Sequence, residues 1–97
     1  MYLVELLFPL SDRASADHLQ TLLTLLADEF GGVTAFSQAP ADGRWTAPGR
    51  VEQDDIVLVE VMTEDLDRDW WGALRLSLEQ RLGQDELVIR ASRMERL

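Results

Sequence analysis

The chain has 97 residues with a net charge of −9, 46% of them are apolar, and there is no cysteine. This length fits a single domain, residues 1–97, with one core. The lack of cysteine excludes disulfides, thiol nucleophiles and iron–sulfur clusters. The negative charge argues against nucleic acid and anionic membranes as partners, since both attract cationic side chains.

The first residues do not resemble a targeting segment. An acid, Glu5, follows the start with no basic region before it, which is not typical of a signal peptide. No apolar run approaches the roughly 18 residues that cross a bilayer. We therefore expect a soluble, cytoplasmic protein.

The first predicted strand covers residues 2–8. Its side chains alternate between two faces, with Tyr2, Val4, Leu6 and Phe8 on one and Leu3, Glu5 and Leu7 on the other. Pro9 is expected to end the strand, because proline has no N–H to donate to a neighbouring strand.

A helix is predicted from Ala16 to Phe30. Its apolar residues recur at intervals of three and four and form one stripe: Leu19, Leu22, Leu23, Leu26 and Phe30. Ser15 is the expected N-cap. Gly31 and Gly32 should end the helix, because glycine accepts a positive φ.

Residues 33–37 are predicted to form a short strand, and residues 38–50 a loop rich in proline and glycine. Trp45 lies within that loop. A large aromatic ring on a loop either covers exposed sheet or takes part in a binding site. The sequence favours neither interpretation.

The most informative strand covers residues 56–62. These residues are apolar except for Glu60, four of them are valine or isoleucine, and acids lie just beyond both ends. Such a run is typical of a strand with both faces covered, and hence of a central position in a sheet.

A second helix is predicted from Leu66 to Leu82, with Thr63 or Asp65 as its cap and Gly83 as its end. Its apolar stripe contains Trp70, Trp71, Leu74, Leu78 and Leu82. We expect the two tryptophans to pack in the core.

The last predicted strand, residues 86–91, completes the order β-α-β-β-α-β. Short, right-handed connections then favour a ferredoxin-like split sandwich of the α+β class. In that fold a four-stranded antiparallel sheet carries both helices on one face. Its first and third strands are central, which agrees with the apolar character of residues 56–62.

Four segments resemble a bacterial family of small α+β proteins of unknown function: residues 30–34 (FGGVT), 43–45 (GRW), 55–61 (DIVLVEV) and 82–88 (LGQDELV). The resemblance extends over residues 30–90. In members of that family an export signal often precedes the domain, and this sequence does not show one. The resemblance implies the ferredoxin-like fold, and it brings no activity and no catalytic residues.

The sheet face away from the helices is predicted to be mostly apolar. Its expected residues are Leu3, Leu7, Ile56, Leu58, Met62 and Val88. Because a face left to water is normally polar, something should cover this one. The candidates are the Trp45 loop and a second copy of the chain. We favour a homodimer, since twofold dimers are the commonest oligomers.

Three charged residues are expected among these apolar ones. Glu5 and Glu60 lie on strands predicted to be neighbours, and Arg90 lies on the strand that flanks Glu5. Two carboxylates in a half-apolar cavity would suit a general acid or base, with Arg90 holding an anionic substrate. An ion pair within the sheet or across a dimer seam is the alternative, and we favour it.

Other candidate sites fail on residue type. Residues 65–69 resemble the start of a calcium-binding loop, but Trp70 stands where the loop needs glycine and Leu76 where it needs glutamate. His18, the only histidine, is expected to be solvated. We therefore expect no metal site and no cofactor.

The leading functional prediction is a homodimeric interaction module or a small-ligand-binding module, with a cavity between the sheet and the Trp45 loop. The alternative is a cofactor-independent enzyme of the dimeric α+β-barrel type. It would act on a small organic substrate, with Glu5 or Glu60 as the base and Arg90 as the anchor. Only analogy between folds supports the enzyme.

Overall fold

The computed structural model describes residues 1–36, 46–47, 50–51 and 55–97. The elements in chain order are β1 (Tyr2–Leu10), α1 (Arg13–Phe30), β2 (Thr34–Phe36), β3 (Thr46–Ala47), β4 (Arg50–Val51), β5 (Asp55–Thr63), α2 (Arg68–Leu82) and β6 (Ile89–Arg93). Strands β3 and β4 pair with each other, and the other four strands form one antiparallel sheet. The protein therefore belongs to the α+β class.

The four-stranded sheet has the order β2-β5-β1-β6, so β1 and β5 are its central strands. They pair along their whole length, from Tyr2 opposite Thr63 to Leu10 opposite Asp55. The central position predicted for residues 56–62 is confirmed. Val57, Val59 and Val61 bury one face of β5, whereas its other face is only partly covered, with Met62 49% exposed.

The core lies between one face of this sheet and the two helices. Both helices contribute buried side chains to a single cluster, which consists of Val4, Leu6, Phe8, Leu19, Leu22, Leu26, Val57, Val59, Val61, Trp71, Leu78 and Leu87. The alternation predicted for the first strand is correct, because Val4, Leu6 and Phe8 are almost fully buried. Each lies opposite a valine of β5.

The prediction that Pro9 ends the first strand is wrong, because β1 continues to Leu10. The Leu7 N–H donates to the Val88 carbonyl at 3.0 Å, so odd-numbered residues of β1 direct their N–H groups toward the β6 side. Strand β6 pairs only as far as Leu6 of β1. An N–H at position 9 would point beyond the end of the β1–β6 pairing, so β1 tolerates proline there.

The caps of both helices differ from the predicted ones, by three residues for α1 and by two or four for α2. Asp12, not Ser15, caps α1: its carboxylate accepts from the Ser15 N–H at 2.8 Å, while the Ser15 hydroxyl accepts from the Asp12 N–H at 2.9 Å. This reciprocal pair is a capping box. Asp67, rather than Thr63 or Asp65, caps α2 by accepting from the Trp70 N–H.

The helix ends agree with the prediction. Gly31 and Gly83 adopt φ values of 78° and 64°, in the left-handed region that favours glycine. Phe30, the last residue of α1, stacks on Trp71 near the start of α2 with ring centroids 5.1 Å apart, and Trp70 meets both rings edge-on. Both tryptophans thus pack against the core, as expected. Neither helix described is long and apolar enough to cross a membrane.

The last strand is displaced from its predicted range, since β6 covers Ile89–Arg93 and not residues 86–91. The N–H of Leu87 donates to the Glu79 carboxylate of α2 at 2.9 Å, so this residue is tied to the helix. Leu87 still packs in the core, and strand pairing begins immediately after it.

Candidate functional site

A row of four polar residues crosses the sheet on the face away from the helices. Glu5 of β1 lies directly opposite Glu60 of β5 on one side and Arg90 of β6 on the other. Thr34 of β2 lies opposite Glu60. The polar row therefore reads Thr34, Glu60, Glu5 and Arg90 from one edge of the sheet to the other.

The two carboxylates of the polar row occupy the closer kind of antiparallel pair. Since the odd-numbered residues of β1 hydrogen bond toward β6, Glu5 and Glu60 form a non-hydrogen-bonded pair. In such pairs the Cα atoms lie about 4.5 Å apart and the side chains approach each other more closely. Like charges directly opposite destabilise a sheet. This arrangement therefore needs a compensating cation.

Arg90 supplies only part of that compensation. Its Nε donates to Oε1 of Glu5 at 3.4 Å, a long contact, and its side chain is 58% exposed. Among the residues described, the guanidinium makes no other hydrogen bond, so both Nη groups remain open to a further acceptor. Glu60 has no ion-pair partner within residues 1–36 and 55–97.

Apolar side chains surround the polar row. We call this whole surface the open sheet face; its apolar members are Leu3, Leu7, Phe36, Ile56, Leu58, Met62 and Val88. Three of them are about half exposed: Phe36 at 46%, Met62 at 49% and Val88 at 46%. Several exposed apolar side chains on one face are more typical of an interaction surface than of the rest of a protein surface.

A groove of about 810 Å³ lies at the end of the open sheet face where α1 stops. Its lining includes Leu3, the three methionines Met1, Met62 and Met94, and the charged residues Glu60, Glu64 and Arg96. Sequence reasoning missed this groove. Its signal was the alternation of the strands, which places the three methionines on the same face; the N–H of Met94 also donates to the carbonyl of Met1.

The structure brings together three of the four predicted site residues: Glu5, Glu60 and Arg90. The fourth, Trp45, lies outside the described residues. His18 is half-buried on α1. It lines a small pocket with Asp12 and Arg81, and no residue of the polar row lines that pocket. Within the described residues no three Asp, Glu or His side chains gather in a way that would hold a metal ion.

Asp12 has the one resolved change in proton affinity among the described groups. The hydrogen bond from the Ser15 N–H, with smaller contributions from the neighbouring Ser15 hydroxyl and from His18, holds the pKa of Asp12 below its ordinary value. This carboxylate caps α1 and lies on the helix side of the sheet. It therefore has a structural role and no part in the polar row.

No family model, no curated protein and no solved structure matches this chain. Function is therefore inferred from the residues of the open sheet face.

Proposed function

We propose that the protein is a homodimeric interaction module with a ferredoxin-like fold, whose two copies associate through their open sheet faces. The fold assignment is supported by the strand order β2-β5-β1-β6 and by the packing of both helices on one face. The observation that carries the dimer is the exposure of Phe36, Met62 and Val88 on the other face.

The dimensions of the open sheet face suit a dimer. Strands of nine residues extend about 30 Å and four strands span about 19 Å, so its outline is at most on the order of 600 Å². Side-chain relief makes the accessible area larger than this outline. A standard protein interface buries about 800 Å² on each partner. The face is therefore of the right order for a stable contact.

The charges of the open sheet face also favour a second copy over an unrelated partner. The polar row carries both signs, with two carboxylates and one guanidinium. A twofold contact places a surface against itself, so it needs groups that complement one another. The rest of the chain is strongly acidic, and a second copy approaching through helix surfaces would be repelled.

Sedimentation equilibrium tests the dimer directly. We expect the mass of two chains, each of 11.0 kDa, at low micromolar concentration. Val88→Glu should shift the protein to the monomer, because it places a carboxylate in the apolar contact. Leu76→Glu is the matched control: it changes an exposed leucine of α2, outside the open sheet face, and should leave the mass unchanged.

A monomeric wild-type protein would contradict the dimer. The segment of residues 37–54, which contains Trp45, would then be the candidate cover for the open sheet face. Equal dissociation by Val88→Glu and Leu76→Glu would also count against it, because a general loss of solubility or folding would explain both variants.

The second candidate function is a cofactor-independent enzyme acting on a small organic substrate. It is favoured by one observation: the Glu5 and Glu60 pair lies beside a groove of ligand size, and Glu60 lines that groove. Small-ligand binding without catalysis rests on the same groove. The resemblance to a bacterial family and the cytoplasmic location stay predictions.

A further inference from the structure

Glu60 has no cationic partner within its own copy among the described residues, and we infer that the second copy supplies one. In the dimer, Arg90 of each copy pairs with Glu60 of the other. The inference rests on the proposed homodimer. It adds a specific contact between the two copies and the symmetry axis that this contact requires.

Within one copy Glu60 and Arg90 are not opposite each other. Strand β1 lies between their strands, so they are two strand spacings apart, about 10 Å. Arg90 uses Nε to reach Glu5, and more than half of its side chain faces solvent. Its two Nη groups can therefore bind a carboxylate that approaches from above the sheet, and arginine favours such paired contacts.

One symmetry axis brings the required groups together. A twofold axis that runs along β1, in the plane between two facing sheets, places β5 of each copy over β6 of the other. Glu60 then faces the partner's Arg90, and this contact occurs twice. The two Glu5 side chains then face each other across the axis, and each is bonded to its own Arg90. The three strands that overlap include both strands of nine residues.

The neighbouring axis is electrostatically worse. A twofold axis midway between β1 and β5 would place Glu60 of each copy over Glu5 of the other, so that Glu60 would face a carboxylate in place of the partner's Arg90. Like charges enclosed in an interface disfavour association and exclude wrong arrangements. Glu60 thus disfavours this stacking relative to the axis along β1.

The apolar side chains agree with the axis along β1, because that rotation keeps each row of the sheet over the same row of the partner. The row of Leu58, Leu7 and Val88 packs on its own counterpart, and the polar row packs on the polar row. No charged group is then forced onto an apolar one. Facing sheets in proteins commonly pack in this nearly aligned way.

Reciprocal charge reversal tests the contact. Glu60→Arg and Arg90→Glu should each raise the dissociation constant of the homodimer at least about tenfold, because each places like charges across the seam. An equimolar mixture should form a heterodimer within about threefold of the wild-type affinity, since both contacts regain opposite charges. Native mass spectrometry of the mixture, with one chain isotopically labelled, measures the heterodimer fraction.

Two controls separate this contact from other effects. Asp28→Arg and Arg81→Glu make the same charge changes on exposed residues of the helices and should mix statistically. Glu60→Arg should also keep its fold, because it places a cation opposite Glu5. If Arg90→Glu does not fold, Arg90→Gln replaces it and should weaken the dimer in the same direction.

The outcomes are distinct. Wild-type dimers with selective heterodimer formation support the contact. Wild-type dimers whose affinity neither variant changes, with statistical mixing, overturn the contact and leave the proposed dimer standing. A wild-type monomer at all concentrations overturns the proposed dimer itself.

Discussion

The carboxylate of Glu79 joins α2 to the segment that precedes β6, and its removal should destabilise the fold. Oε2 accepts from the Leu87 N–H at 2.9 Å, and Oε1 accepts from Arg75 Nη1 at 3.0 Å. The Glu79 side chain is only 11% exposed, and Leu87 belongs to the core. We expect Glu79→Ala to lower the free energy of unfolding by about 2–3 kcal/mol, because a sheltered N–H loses a charged acceptor.

Two further variants assign that loss to one of the two contacts. Arg75→Ala should cost at most about 0.5 kcal/mol, because its pairing with Glu79 is an i,i+4 contact and the Arg75 side chain is 40% exposed. Glu79→Gln should fall between, at about 1 kcal/mol, because the amide oxygen can still accept from Leu87 while the charge is lost. The expected order is therefore Glu79→Ala, then Glu79→Gln, then Arg75→Ala.

Urea unfolding followed by circular dichroism measures these differences. The protomer concentration must be held fixed, since a dimer links apparent stability to concentration. For a domain of this size, 2 kcal/mol also corresponds to a fall in Tm of roughly 8–16 °C. If Arg75→Ala costs as much as Glu79→Ala, the ion pair and not the Leu87 hydrogen bond provides the stability, and the reasoning is wrong.

Two smaller predictions concern the ends of α1. Because the pKa of Asp12 is lowered in the folded state, its contribution is present above the ordinary aspartate pKa and is lost as the pH falls through the folded-state value. The stability difference between wild type and Asp12→Ala, from urea titrations at several pH values, should shrink on acidification; a constant difference would refute this. Gly31→Ala should cost about 1 kcal/mol because of the positive φ of Gly31. Gly32→Ala, in equally open space, should be nearly neutral, and similar losses would contradict the conformational explanation.

The arrangement of elements could be predicted because two periodicities are clear in this sequence. Alternation assigned Val4, Leu6 and Phe8 to the buried side, and the leucine stripe identified α1. The boundaries could not be predicted in the same way, because several side chains compete for the same backbone groups. At α1 the Ser15 hydroxyl accepts from the Asp12 N–H, and just before β6 the Glu79 carboxylate accepts from the Leu87 N–H.

The candidate site was predictable in part, for a reason specific to strands. A side-chain period of two places Glu5 and Glu60 on the open sheet face once the core residues are assigned. Whether they lie opposite each other depends on the register of β1 on β5, which neither strand specifies alone. The methionine groove was out of reach, since it requires the end of α1 and the ends of four strands to meet.

The facing carboxylates Glu5 and Glu60 also bear on function. They sit on the two central strands, where an apolar pair would pack better and cross-strand repulsion would not arise. Sequences usually depart from such local rules where function or specificity requires it. A catalytic pair would use Arg90 to hold its substrate, and a dimer seam would use the same guanidinium, whose two Nη groups make no hydrogen bond among the described residues. The exposed apolar residues Phe36, Met62 and Val88 on the same face are why we favour the dimer seam over the enzyme.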